Sequence, residues 1–316
     1  MKKIFVKDIK SGDSLFGELF AIKKYKRGAT KNNRPYVDLV LSDCTGDLKA
    51  KIWSDDFLYC DSVKELDVVN ITGTVGDFQG EKQLRITNLS KVEEYDIEDF
   101  LPKSKLDPDK MFQKIIEIEM SLKNDELKKL FKAFLNDKEV VEKYKKISAA
   151  VSNHHAYASG LLEHTCEMLD VAKSLVKTRP ELNKELLLTG VVFHDIGKVF
   201  EYEVEVTVVR TTKGILQGHI FMGAELVKNY GKQYNLSDEL MDELIHMMLS
   251  HHGKLEYGSP ITPKTPEAIA LYMIDDLSAK LNAAIFQIEA AEGLNSSFTE
   301  YHRALGTELY KSSLTE

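Results

Sequence analysis

Phe193-His194-Asp195-Ile196-Gly197-Lys198 sets an imidazole beside a carboxylate, with a lysine three residues further on. Taken alone, a His-Asp pair is close to noise. Its surroundings change that. Upstream stands Gly160-Leu161-Leu162-Glu163-His164-Thr165. Downstream come Gly218-His219, then Ser250-His251-His252-Gly253, then the acidic pair Asp275-Asp276 within "AIALYMIDDLSAKL". The context is helical from Pro108 onward: Met111, Ile115, Ile118 and Leu122 recur at helical spacing, as do Leu127, Leu130, Phe131 and Phe134. Further helices are expected at about 220–234, 237–252 and 264–291. A β-hairpin is expected near Val199–Gly218, where "FEYEVEVTVVRTTKG" alternates and carries Lys213-Gly214.

These residue types suit a divalent cation. Neutral imidazole with carboxylate fits manganese, iron, zinc or nickel, and carboxylate with water fits magnesium or manganese. A His-Asp pair at a helix end can offer both groups to a metal pair, with the carboxylate bridging. Two ions ~3.5–4 Å apart activate a hydroxide and stabilise the attacking and leaving oxygens of a phosphoryl displacement.

The ordered set of H, HD, H, HH and D spans 112 residues. With its "HD-x-GK" and "GLLEHT" pieces, it resembles the HD-domain metal-dependent phosphohydrolases. The resemblance implies His164, His194, Asp195, His219, His251 and Asp275 as metal ligands, with His219 and His251 marking the two-metal branch. Asp195 is then the bridging, catalytic carboxylate. Of the neighbours His251 and His252, one is expected to face the metals; His251 is favoured, which leaves His252 to bind substrate or cap a helix. Asp275 and Asp276 point about 100° apart on a helix, and the "ID-D-LSA" frame resembles that of HD nucleases and selects Asp275. Lys198 is expected as a phosphate clamp in catalysis, acting as a point charge. "NHHAYASGLLEHT" resembles the run before the first ligand in some HD proteins, which makes His155 a candidate for substrate contact.

Residues 1 to about 90 read as strands. Leu15 to Ile22, Tyr36 to Asp43, Leu48 to Trp53, Val68 to Val75 and Gln83 to Thr87 supply five, with Thr45-Gly46 as a turn signal. A polar-aromatic piece from Ser54 to Cys60 interrupts the third and fourth. That order matches a small Greek-key OB barrel, and it resembles the OB domains of nucleic-acid-binding proteins. OB barrels grip single strands with a basic groove and stacking aromatics. The stretch from Lys23 to Arg34 is read as the first inter-strand loop and has no acidic residue. Lys23, Lys24, Tyr25, Arg27, Arg34 and Tyr36 are the expected nucleic-acid contacts, with Trp53 and Phe78 as further aromatic candidates.

Charge supports this division. Residues 1–91 hold 16 Lys+Arg against 13 Asp+Glu, and the remainder 26 against 37, within a net charge of -8. A generic nucleic-acid coat is excluded, while a local basic footprint remains. None of Cys44, Cys60 and Cys166 forms a C-x-x-C pair, which argues against a zinc ribbon and fits a reducing compartment. No segment approaches the ~20 apolar residues of a membrane span, and the start carries no signal-peptide pattern.

The expected architecture is a multidomain α+β chain. Residues 1–91 form an OB-like five-stranded β-barrel, 92–108 a linker, and 109–316 an all-α HD domain with a small β-hairpin insertion. OB and HD modules in this order resemble the YhaM-type 3'-to-5' exoribonucleases. That resemblance implies a cytoplasmic, manganese-supported enzyme with two divalent ions (Mg2+, Co2+ or Fe2+ as alternatives). It implies action on single-stranded RNA, with single-stranded DNA as a second substrate. Whether the chain forms a homo-oligomer is left open. The rival readings are a phosphohydrolase of a small nucleotide or cyclic dinucleotide, a non-catalytic binding protein, and an oxygenase with an iron pair.

Overall fold

The computed structural model describes residues 2–54, 56, 63–78, 80–101, 104, 106–150, 157–291 and 296–311. Its contacts divide the chain into two units. One is Met1–Lys103 with Val204–Val209, and the other is Ser104–Glu203 with Arg210–Glu316.

The first unit is a closed barrel in the order β1-β2-β3-β5-β4, built from β1 (Ser14–Ala29), β2 (Pro35–Asp43), β3 (Gly46–Trp53), β4 (Val68–Phe78) and β5 (Glu81–Val92). One long strand makes closure possible. The first half of β1 pairs with β4, from Ser14 opposite Thr74 to Ala21 opposite Val68. Its second half pairs with β2, from Ala21 opposite Ser42 to Ala29 opposite Pro35. Register shifts at Phe16/Glu18 and Ile22/Lys24 bend it between these two partners. The parallel β3–β5 pairing completes the circle. Alternate residues such as Leu15, Phe20, Val37, Leu39, Ile52, Ile71 and Ile86 fill the interior, as strand periodicity requires.

The length of β1 corrects one expectation. Lys23 to Ala29 is not a loop but the end of that strand, and only Thr30–Arg34 turns, closed by hydrogen bonds between Thr30 and Arg34. The alternation of large and polar residues continues through Tyr25, which packs on the barrel core. Tertiary pairing therefore overrides the run of lysines. Within 92–108, Phe100 is buried against Ala21, Val68 and Val206.

The second unit is helical: α1 (Pro108–Ser121), α2 (Asp125–Asn136), α3 (Lys138–Lys146), α4 (Gly160–Thr178), α5 (Lys184–Phe193), α6 (Lys198–Glu201), α7 (Thr212–Gln233), α8 (Asp238–Ser250) and α9 (Pro266–Ala290). A two-stranded insertion, β6 (Tyr202–Val204) and β7 (Val208–Arg210), lies between α6 and α7. Side-chain caps start several helices: Asp107 for α1, Asn124 for α2, Asn183 for α5 and Thr265 for α9. Each satisfies backbone N–H groups that a helix start leaves without partners.

Aromatic packing fixes the helices that carry the site. Phe134 meets Phe193 and Tyr144, both at 5.5 Å between ring centroids, and Phe131 meets Phe193 at 5.2 Å. Such edge-on pairs add ~0.5–1.5 kcal/mol each beyond burial. The buried Tyr144 hydroxyl donates to Val192 O (2.9 Å) and lies 2.9 Å from the Thr165 hydroxyl. It thus ties α3 to the residue after His164 and to a residue two before His194. On the outside of α9, Ile269, Met273, Leu277, Leu281 and Ile285 recur every fourth residue, all about half exposed. No helix among the described residues is long and apolar enough to cross a membrane.

Candidate metal centre and nucleic-acid face

His194 caps the C-terminus of α5, so the His-Asp pair sits where the chain turns out of that helix. The turn must come very close to α7. A Cβ on Gly197 would lie 2.0 Å from His219 O and 2.6 Å from Gly223 N, both backbone atoms. Only glycine permits that approach, which brings Asp195 Oδ1 to 3.3 Å from His219 Nε2. Gly218 contributes the other half. Its φ of 71° breaks α7 just before His219, a conformation that costs a side-chain-bearing residue energy.

Five histidines then follow one rule. Each holds its Nδ1 against an outer partner: His164 on Ser278 Oγ (3.0 Å), His194 on Val191 O (2.7 Å), His219 on Glu201 Oε2 (2.6 Å), His251 on Met248 O (2.6 Å) and His252 on Tyr257 O (3.1 Å). Donation from Nδ1 sets the tautomer and turns the Nε2 lone pairs of His194, His219 and His251 inward, the arrangement that metal-binding imidazoles adopt. His164 Nε2 meets Asp275 Oδ1 at 3.1 Å. Around Asp195, His194 Nε2 stands at 3.3 Å and His251 Nε2 at 3.5 Å. These are ion-pair distances without hydrogen-bond geometry. Asp195 Oδ1 and the Nε2 atoms of His194, His219 and His251 are buried with no hydrogen-bond partner.

Buried polar atoms are normally paired. Four orphans converging on one spot, all of metal-ligating type, are what a cation would satisfy. Two groups have ligand atoms within 4.8 Å of one another: His164, His194 and Asp195, and His219, His251 and His252. The residues fit divalent cations.

The electrostatics agree. Burial alone would raise the Asp195 carboxyl, but the Lys198 ammonium at 2.5 Å and His194 outweigh it and hold the group well below the usual range. Burial likewise opposes ionisation of Asp275, and the close contact with His164, with the other histidines, outweighs it and keeps the group low. Burial pushes His164 and His251 down, so both stay neutral and able to ligate. Burial and the adjacent His251 bring His252 down to about 4. His194 is raised because the Asp195 carboxylate outweighs burial; a cation beside that carboxylate would compete for the same lone pair.

Against the expected site, His164, His194, Asp195, His219, His251 and Asp275 are brought together. Asp276 instead pairs with Lys280 at 2.7 Å, away from the histidines. Of the neighbours, His251 is fully buried, while His252 also holds Tyr257 O at 3.1 Å; both stand with His219. Lys198 is not a free clamp, because its buried ammonium is held on Asp195 Oδ2. His155 lies outside the described residues. Sequence reasoning missed Glu201, whose signal was its place three residues after Lys198. It also missed Ser278, whose hydroxyl donates to Glu167 Oε2 (3.0 Å) and so accepts from His164.

On the barrel, strand parity splits the expected contacts. Lys24, Lys26 and Gly28 stand opposite Val40, Asp38 and Tyr36, which stand opposite Lys49, Lys51 and Trp53. Lys49 and Lys51 in turn neighbour Gln83 and Arg85. All therefore share the outer face of β1, β2, β3 and β5. Tyr36 and Trp53 rings stand 5.9 Å apart, with Lys51 Nζ 4.5 Å and 4.9 Å from their centroids. Gly28 leaves room for Tyr36, whose ring lies 2.5 Å from where a Cβ would be. Tyr25 and Arg27 take the opposite parity, and Lys23 falls at the Ile22/Lys24 register shift without a partner on β2. Lys23 pairs with Asp47 at 2.8 Å, and Arg27 Nε donates to the Tyr25 hydroxyl at 3.0 Å. Arg34 is exposed in the turn.

Fold and site together define a class: an OB-fold module and an HD-domain phosphohydrolase in one chain. Comparison with known proteins supports both halves. The OB-fold nucleic acid binding domain family matches residues 14–92, and the HD domain family matches residues 161–280. Over 307 residues the chain is 33% identical to the 3'-5' exoribonuclease YhaM of Oceanobacillus iheyensis, covering 95% of each. It is 34% identical to its Bacillus subtilis namesake over 268 residues, 83% of each. With the Listeria innocua protein it shares 35% over 273 residues, 84% of this chain and 85% of the relative. The chain belongs to the YhaM family of 3'-5' exoribonucleases.

Proposed function

We propose that this protein is a divalent-metal-dependent hydrolase that removes nucleotides one at a time from the 3' end of single-stranded RNA, with single-stranded DNA as a second substrate. The observation that carries the reading is the convergence of four buried, unpaired ligand atoms on the His194-Asp195 turn. The family's relatives, each named a 3'-5' exoribonuclease, supply the direction.

Two ions, manganese foremost, fit the two ligand groups. Divalent cations there would lower the pKa of a water and neutralise charge on the reacting phosphoryl group. The chain's own residues do the rest. Asp195 presents Oδ1 towards His219 and His251 and Oδ2 towards His194, which suits it to bridge. Lys198 keeps that carboxylate ionised and oriented. Tyr36, Trp53 and Lys51 on the barrel offer stacking and charge to an unpaired strand, without regard to base identity. The reducing cytoplasm suits the free thiols of Cys44 and Cys166. Self-association is proposed through the half-exposed apolar stripe of α9.

The decisive experiment is a time course on 5'-labelled RNA with manganese, magnesium or chelator present. A ladder shortening from the 3' end, abolished by chelator, is expected. Comparable cleavage of circular single-stranded RNA would instead show an endonuclease, and turnover of small nucleotides alone would show a nucleotide phosphohydrolase.

A further inference from the structure

Beside the histidine cluster the second unit leaves a cleft of about 410 Å3, lined by Gln217, His219, Ile220, Phe221, Leu249 and Pro260 with two glycines. That volume falls in the ~300–1,000 Å3 range of small-molecule sites. The cleft shares His219 with the candidate metal centre but none of His164, His194, Asp195 or His251. No ionised side chain lines it, so it is built neither for a phosphate nor for a cation. Its wall is apolar and carries a large aromatic ring: Phe221 is 54% exposed although it stands two residues from a buried cluster. An exposed aromatic face in such a cleft is a surface that a flat ligand can cover. Gln217 adds one amide, able both to donate and to accept.

The cleft is also tied to the cluster mechanically. His252 holds Tyr257 O at 3.1 Å and thereby fixes the loop that supplies Gly258 and Pro260 to the opposite wall. The His219 ring stands between the two regions. It is 5.8 Å from the His251 ring and 5.4 Å from the His252 ring on one side, and it lines the cleft on the other.

From this we infer that the cleft seats the base of the 3'-terminal nucleotide, with Phe221 stacking on it. The inference rests on the exoribonuclease reading and deepens it. A phosphodiester held among the histidines has its nucleoside one ribose away, and an uncharged, flat heteroaromatic ring is the part of that nucleoside an apolar slot accepts. Stacking does not distinguish bases, and an amide that both donates and accepts pairs with any of them. The site would therefore hold the strand end firmly and read no sequence, as a trimming enzyme requires.

The test compares two RNA oligonucleotides that differ only in the last residue, one with a normal 3'-terminal nucleotide and one abasic there. Release of that residue is followed in manganese. Wild type is expected to prefer the intact end by roughly tenfold or more in kcat/KM, the scale of one base–aromatic stack. Phe221→Ala should bring the ratio close to one, and Phe221→Trp should keep it; circular dichroism checks that both fold. Equal cleavage of both ends by wild type, or an undiminished preference in Phe221→Ala, overturns the base seat. Failure of wild type to release the terminal residue from either oligonucleotide sinks the exoribonuclease reading itself, a different result.

Discussion

Glu201 Oε2 lies 2.6 Å from His219 Nδ1 and accepts its N–H hydrogen bond. Glu201 Oε1 is 3.5 Å from Arg210 Nε. The hydrogen bond from His219, with the Arg210 guanidinium nearby, keeps the Glu201 carboxyl low against the opposing effect of burial. A carboxylate behind a ligating imidazole raises its basicity and fixes its ring, and losing one typically costs 10–100-fold in metal affinity. Glu201→Ala should therefore raise the manganese concentration for half-maximal activity by about that factor, with kcat largely restored at saturating metal. Glu201→Gln, which keeps an acceptor but not the charge, should fall between. A metal titration of activity with calorimetry decides it, and an unchanged midpoint in Glu201→Ala would remove the residue from the metal's support.

Asp195→Ala should abolish hydrolysis and also destabilise the second unit. The reason is Lys198, whose buried ammonium would lose its carboxylate. Breaking one side of a buried pair costs ~3–5 kcal/mol. Asp195→Ala with Lys198→Met should regain most of that stability and none of the activity. Thermal unfolding of the three proteins separates the two roles; a double variant no more stable than Asp195→Ala would show that the pair is not the cause.

Divalent ions should stabilise the folded protein as well as activate it. Ligand atoms that are orphaned and buried bind a cation only in the folded chain, so stability rises by about 2.7 kcal/mol at one hundred times Kd. Manganese should raise the Tm of wild type and leave Asp195→Ala unmoved. Equal shifts in the two proteins would place the binding elsewhere.

On the barrel, parity makes a prediction that composition does not. Trp53→Ala should weaken binding of single-stranded RNA roughly fivefold or more, since one stacked base contributes ~1–3 kcal/mol. Lys23→Ala should matter less, because its ammonium is already paired with Asp47 at 2.8 Å. Fluorescence anisotropy at fixed salt tests the contrast, and a larger loss from Lys23→Ala than from Trp53→Ala would remove the stacking role.

Leu277→Lys with Leu281→Lys interrupts the apolar stripe of α9 at its middle. If copies associate there, light scattering should show a smaller species for the variant at the same concentration. An identical mass for wild type and variant would leave the stripe without that role.

Much of this was legible in the chain because local patterns carry it. Alternation wrote the five strands, helical spacing wrote the second unit, and residue types in order, through the family resemblance, pointed to His164, His194, Asp195, His219, His251 and Asp275 as candidates. Those signals are short-range: a strand's period, a helix's period, a ligand beside a glycine. What the sequence left open depended on distant partners. His252 joins His219 because the chain leaves α8 in a turn that places both imidazoles together, which no spacing reveals. Lys198 is bound to Asp195 because burial forces an ammonium to find its counter-charge. Lys24 and Tyr25 are adjacent, yet one faces outward with Tyr36 and the other packs on the core. The bulge at Ile22/Lys24 and the pairing with β2 decide that. Side-chain direction in a sheet is a property of register, and register is fixed by the neighbouring strand.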